Sequence, residues 1–362
     1  MSVAPEANEC ASRHCLDLWK GTFPLHHLLV ISKNGVGNLH HLFIHKYTSI
    51  EFTMTTTIRN YFRYLSIAVV LAAFAPLHAA DKSAEVITVA IPKFGNELVK
   101  KWIQEYTETH PDIRLQVVDG KTGDADLEFV SDAAPQEKKP YVTYVGRYAI
   151  LPVTTANNPL HEKLSRKHLD KKELKELFFQ ENALQKADKE RKDADPFKEL
   201  TVYSGTSQTS GAKAFASFFG LQTSQLRGKR IAGDDLYLLT AINKDHSGVT
   251  FNNLTYLFDL QNRKLKPNLS LIPLDLKKEQ RAVLEKGNLD ETLQLLEKGE
   301  VALIPLPKIG FTYSDKASVA DFLHWIVEKG QQYNHNYGFL TLDEKSAHKE
   351  QKQLEEQLLS NR

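Results

Sequence analysis

The chain predicts an α/β fold of two lobes, and three observations carry that expectation. Short β-rich runs alternate with amphipathic helical patterns along most of the sequence, the signature of mostly parallel sheets covered by helices. Two extended segments, Ile150 to Val153 (ILPV) and Leu303 to Pro307 (LIPLP), carry prolines where the chain would pass between lobes. The 362 residues, 41% hydrophobic and 25% charged, are an ordinary globular composition with room for two domains.

The elements follow in order. Val86 to Ile91 reads as a strand, and Asn96 to Thr109 sets Leu98, Val99, Trp102, Ile103 and Tyr106 at helical spacing before a His110, Pro111 stop. Ile113 to Val118 and Ala125 to Val130 read as further strands, and Tyr141 to Val153 as one long strand. Ser165 to Phe179 predicts a helix with Leu169, Leu174, Leu177 and Phe178 inward, and the mixed-charge run Ala187 to Asp195 a solvated loop or helix end. Gly233 to Ile242 predicts a helix capped by Asp234 or Asp235, followed by a strand at Gly248 to Phe251. Leu269 to Leu274 and Val301 to Leu306 read as strands, with a helix at Leu289 to Glu297 between them. Val319 to Lys329 predicts a helix, and Glu344 to Arg362 a charged helix or frayed end. With the proline segments as hinges, residues 81–151 plus 303–362 form a first lobe and 152–302 a second. A cleft between two such lobes is where ligands bind, at strand ends and helix starts.

Composition narrows the function. A net charge of +1 offers no argument for nucleic acid or an acidic membrane surface. The only cysteines, Cys10 and Cys15, leave the body of the chain without a disulfide framework or thiolate metal site. No H-E-x-x-H pair, glycine-rich P-loop or Gly-x-Ser-x-Gly is present, and His161, His168 and His246 have no spacing that identifies a base beside Ser204. No enzyme, cofactor or metal is expected.

Residues 54–80 have the parts of a secretory signal: Arg59 and Arg63, an apolar run from Leu65 to Phe74, then Pro76 and the small residues Ala79 and Ala80. The apolar run is nearer half than all of the ~20 residues a membrane span needs. Cleavage there would release a chain starting at about Asp81, and no cysteine at the site suggests a lipid anchor. A signal should begin its chain, so Met54 is expected to be the true start and residues 1–53 an upstream extension. Six of the fourteen histidines fall in that extension without any periodic pattern around them.

The most informative stretch is Leu200 to Gly220, LTVYSGTSQTSGAKAFASFFG. It reads as a strand, a turn crowded with hydroxyls and glycines, and a helix carried by Ala212, Phe215, Ala216, Phe218 and Phe219. A helix start has unpartnered N–H groups and a partial positive charge, so this order suits a small oxyanion as well as ordinary capping.

Taken with Phe94 and Gly95, ADLEFVSD at Ala125 to Asp132, AILPVTTANNP at Ala149 to Pro159, and FLHWIVEKGQQY at Phe322 to Tyr333, this stretch resembles the phosphate-binding proteins of bacterial ABC importers. Those are type II periplasmic solute-binding proteins, and the resemblance spans most of the chain after residue 80. It implies a two-lobed fold with two crossing segments, a small anion, phosphate first, as ligand, a membrane ABC permease as partner, a periplasmic location and a monomer. It also implies backbone donors at Phe94 and Gly95, a hydroxyl at Ser131, a cradle at Ser204, Gly205 and Thr206, and Asp132 as acceptor for a ligand proton. A carboxylate repels a fully ionised anion but accepts a hydrogen bond from a protonated one, which selects phosphate against sulfate. The family places an arginine shortly before its SGT, whereas Phe197 to Tyr203 contains none. Arg147 is the candidate replacement. The missing arginine also favours an alternative, a sensing or binding module of the same fold that recognises another small molecule or a protein.

Overall fold

The computed structural model describes residues 85–360 apart from 120–123, 133–134, 136, 181–196, 300 and 315–316. The expected signal at 54–80, the start at Met54, the extension before it and the charged run at 187–195 lie outside the described residues.

The first sheet is built from β1 (Glu85–Ile91), β2 (Ile113–Asp119), β3 (Leu127–Ser131) and β4 (Tyr141–Arg147), joined late in the chain by β12 (Lys308–Tyr313). Its order is β2-β1-β3-β12-β4. β1 runs parallel to β2 and β3, with Val89 opposite Leu127, and β12 lies antiparallel between β3 and β4. The parallel pairs need helical crossovers. α1 (Asn96–Thr109) is the first, and its periodic Leu98, Val99, Trp102 and Tyr106 are the buried face. Trp102 lies against Phe129 and Phe311 from the sheet, and its indole N–H donates to the Gly330 carbonyl at 2.8 Å.

The second sheet has the order β11-β5-β8-β6-β7. Its strands are β5 (Ile150–Thr155), β6 (Thr201–Gly205), β7 (Lys229–Ile231), β8 (Gly248–Asn253) and β11 (Leu269–Leu271), with a small hairpin of β9 (Phe258–Asp259) and β10 (Lys264–Leu265) beside it. The helices of this half are α2 (His161–Arg166), α3 (Lys171–Phe178), α4 (Ser210–Phe218), α5 (Leu236–Lys244), α6 (Leu254–Leu257), α7 (Lys278–Glu285) and α8 (Leu289–Glu297). Phe178, Phe215 and Phe251 form its core; the last two stack at 4.0 Å. Truncating one such ring to alanine costs about 3–5 kcal/mol.

Two expected continuous elements are interrupted, each for a visible reason. The run from 141 to 153 is two strands, because β4 pairs with β12 in the first sheet and β5 with β8 and β11 in the second. The helix expected over 165–179 is α2 and α3, separated by Asp170. That side chain accepts from the Glu173 amide at 2.7 Å while the Glu173 carboxylate accepts from the Asp170 amide, a reciprocal cap that starts a new helix.

The strand expected at 301–306 is irregular. Pro305 and Pro307 have no N–H to give a ladder, and Leu303 sits at φ 72°, a left-handed conformation that breaks an extended run. The proline carbonyls instead accept from Ile150 at 3.2 Å and from Tyr148 at 3.0 Å, so the two crossing segments are bonded side by side. The chain ends with α9 (Ala317–Glu328), a 3₁₀ stretch at Gly330–Tyr337 and α10 (Glu344–Ser360), which packs along α9. None of the helices among the described residues is long and apolar enough to cross a membrane.

Candidate functional site

Between the sheets lies a cleft of about 780 Å³. The first lobe contributes residues 90–94, which leave the C-terminal end of β1, and 128–131 of β3. The second contributes Ser207 to Ser210 and Lys213 at the start of α4, Gly233 to Asp235 before α5, and Tyr237. The lobes already touch across it: the Lys93 ammonium stands 5.5 Å from the centre of the Tyr237 ring.

Of the residues nominated from sequence, Phe94 and Ser131 line the cleft. Phe94 is buried against Phe129, Tyr148 and Phe339, which fixes the turn leaving β1. Gly95 lies behind it, where a Cβ would collide with the Phe129 ring, and its amide already donates to the Pro92 carbonyl at 3.1 Å. The Ser131 hydroxyl shares a 2.7 Å hydrogen bond with that of Tyr148. Asp132 follows at φ 47°, with its amide donating to the Lys308 carbonyl at 2.9 Å. Burial raises its carboxyl above the usual range, opposed by the Lys308 amide and the charge of Lys213.

The expected cradle is placed differently. Ser204 and Gly205 belong to β6, not to the turn after it. The Ser204 hydroxyl is fully buried and donates to the Arg227 carbonyl at 3.0 Å, and the Gly205 carbonyl accepts from Arg230 at 2.9 Å. The turn satisfies itself: the Thr206 amide donates to Thr209 Oγ1 at 3.1 Å, and the Thr209 amide to the Thr206 carbonyl at 3.0 Å. What reaches the cleft is the next four residues, Ser207 to Ser210, and Lys213 one helical turn further on.

Arg147 does not line the cleft. Its Nε donates to the Thr341 carbonyl at 2.9 Å, and its backbone exchanges hydrogen bonds with Leu340 at 2.9 and 2.8 Å. It therefore ties β4 to the C-terminal segment beside the crossing.

Asp235 is the residue that sequence reading missed as a site group. At 4% exposure it forms part of the cleft wall. Expected as a cap for α5, it makes no side-chain cap there; Asp234 does that work, accepting from the Leu236 amide at 2.9 Å. Asp235 instead accepts from the Gly211 amide at 3.1 Å through Oδ2, reaching into the first turn of α4. Its Oδ1 has no hydrogen-bond partner among the described residues. Burial pushes this carboxyl up to about 7, with the Gly211 amide pulling down and Asp234 adding to the rise.

Acids and lysines both face the cleft. Among the acids at the cleft, Glu128 is paired with Lys139 at 3.2 Å, and Asp234 also accepts from the Tyr256 hydroxyl at 3.1 Å. Asp132, whose carboxyl burial raises, is not part of the cleft lining; Asp235 is pushed towards the neutral form, whereas Lys93 and Lys213 make no ion pair within 4 Å among the described residues. No group of three or more metal-ligating side chains occurs among the described residues.

Two five-stranded sheets of orders β2-β1-β3-β12-β4 and β11-β5-β8-β6-β7, joined by two paired crossings over a cleft, define the two-lobed type II periplasmic-binding-protein fold. No family model matches the chain, and no curated protein matches it. Solved structures similar to it include phosphate receptors of ABC importers. An ABC-type phosphate transport receptor from Vibrio cholerae is 16% identical, with 71% of this chain and 100% of that one covered and a TM-score of 0.47. A Clostridium perfringens protein, solved with bound phosphate and described as an ABC transporter substrate-binding protein, is 14% identical over 72% of this chain and 100% of its own, TM-score 0.49. A possible phosphate binding protein from Planctomyces limnophilus is 15% identical, covering 76% and 99%, TM-score 0.44.

Proposed function

We propose that the chain is an extracytoplasmic solute-binding protein whose lobes close on a small oxyanion, phosphate first, and deliver it to a membrane ABC permease. The observation that supports this reading is the pair of lysines facing the cleft from opposite lobes, Lys93 and Lys213, beside the hydroxyls of Ser207 and Ser210. Closure would bring both charges onto one ligand, and a charged hydrogen bond contributes about 1.5–3 kcal/mol. The lysines would supply the charge that the absent arginine supplies elsewhere. Asp235, pushed towards protonation, would share one hydrogen with a ligand oxygen instead of meeting the anion with a second negative charge. The permease and the periplasmic location rest on the sequence resemblance and on the expected signal peptide. No step in this reading calls for a catalytic residue.

A second reading, a sensing or binding module for a different ligand, is favoured by one observation. The amides of Thr206, Thr209 and Gly211, which a cradle would offer to an oxyanion, are already taken by this chain's own oxygens.

Calorimetric titration of the refolded protein with phosphate and then sulfate separates the two. Tight phosphate binding with little response to sulfate is the expected result. Silence towards both anions would remove the first reading and leave the second.

A further inference from the structure

The second lobe carries another pocket, of about 300 Å³ and partly open to solvent, which shares no lining residue with the interlobe cleft. It lies between β11, α2 and α7, and Leu151, Leu269, Leu271, Ile272 and Leu284 form its apolar walls. Pockets that bind small molecules begin at this volume, ~300 Å³. The helix over it points the same way. α7 is amphipathic yet has no fully buried residue, as expected of a helix that covers space and not core.

The polar groups on the lining decide which chemistry would fit. Ser165 Oγ donates to the His161 carbonyl at 2.7 Å, so its 3.3 Å contact with His161 Nδ1 must be accepted from the ring N–H. Nε2 on the other side of the ring is paired with the Ser270 hydroxyl at 2.7 Å. These three side chains satisfy one another and ask nothing of a ligand. Arg281 differs. Its Nη1 donates to the Leu276 carbonyl at 2.6 Å and stands 4.0 Å from Asp275, but Nε and Nη2 make no hydrogen bond among the described residues. Glu285, one turn further on, is exposed and forms no ion pair with it among the described residues. A permanently charged fork with unused donors, 26% exposed at the edge of an apolar cavity, is matched by a carboxylate on a hydrocarbon body.

We propose that this cavity is a second binding site, for a small amphipathic monocarboxylate whose apolar body fills the leucine walls and whose carboxylate meets Arg281. At about 30 Å³ per water-sized group the space holds roughly ten non-hydrogen atoms, the size of octanoate.

The test is calorimetric titration of the purified protein with octanoate, with octanol as the control for the head group. One octanoate per chain is expected, with octanol about tenfold weaker, the equivalent of about 1.4 kcal/mol. Arg281→Gln should weaken octanoate about tenfold, and Leu284→Trp, which places an indole in the cavity, should abolish it; neither should alter phosphate titration, which reports on the other cleft. Absence of octanoate binding at millimolar concentration overturns the proposal. So does octanoate binding that Arg281→Gln leaves unchanged, or octanol binding as tight as octanoate.

Discussion

The backbone amide of Gly211 donates to Asp235 Oδ2 at 3.1 Å, so the opening turn of α4 is capped by a carboxyl from the residue that precedes α5. A Cβ on residue 211 would come within 2.7 Å of Asp235 Oδ1 and push this carboxyl aside, so glycine lets the contact form. The helix start that looked free for an oxyanion therefore carries an internal acid. The acid sits in the ligand cleft with one oxygen unpartnered.

That placement makes stability depend on pH. Burial raises the Asp235 carboxyl from 3.8 to about 7, so between those values the folded protein keeps a proton that the unfolded chain has lost. Stability conferred by this group is complete below about pH 4, falls as pH rises to about 7 and is level above. At about 1.36 kcal/mol per unit the loss reaches about 4 kcal/mol. Asp235→Asn keeps an acceptor for Gly211 without the charge, and should be the more stable form at neutral pH. Urea unfolding of both proteins from pH 4 to 8 checks this; parallel curves would refute it.

Lys213→Ala and Lys93→Ala should each weaken phosphate binding about tenfold, or about 1.4 kcal/mol, and make it less sensitive to salt. Both side chains are exposed, so folding should be nearly unaffected. Titration in low and high salt reads both effects. Undiminished affinity in the two variants would take the lysines out of the site.

Arg147→Ala tests the opposite expectation. Because Nε of Arg147 serves the Thr341 carbonyl, its loss should lower stability by about 1–3 kcal/mol and leave phosphate affinity within about twofold. A stable variant with weak phosphate binding would return Arg147 to the ligand.

Glu297 adds to stability on the acid side. Burial alone would raise its carboxyl, but His335 at 2.9 Å and the amide and hydroxyl of Thr341 at 2.6 and 2.8 Å outweigh that and hold it at about 2. The stability it confers is present above its ordinary value of 4.5 and lost as pH falls towards 2. After allowance for a side chain that is 23% exposed to solvent, this contributes about 1–2 kcal/mol. Glu297→Gln should unfold at a higher pH than wild type in an acid titration followed by circular dichroism; coincident midpoints would assign the protection to other carboxyls.

Much of the architecture was legible in local pattern. The helix at 96–109 follows from its own apolar spacing, and the helix at 289–297 has the bounds its periodicity predicts. The break at Asp170 was legible too, as the D-x-x-E spacing of a reciprocal cap, yet the apolar residues on either side concealed it. The extended run at 141–153 could not be divided from sequence, since both halves are β-formers and only their partners, β12 for one and β8 for the other, separate them. Ser204 shows the same limit at the site. Its type and position suit a cradle, but its direction was set by β6 pairing with β7 and by the Arg227 carbonyl that lies behind it.

The sequence by itself determined the class of fold, because hydrophobic periodicity and proline placement are written one residue after another. Only the tertiary structure decided which groups meet the cleft. Asp235, Lys93 and Lys213 stand on different segments, and it took the packing of α4 against β6 and β8, and of one lobe against the other, to bring them together. A hydrogen bond between residues 24 apart in the chain, such as that from Gly211 to Asp235, has no local signal, for it depends on where two helices begin in space.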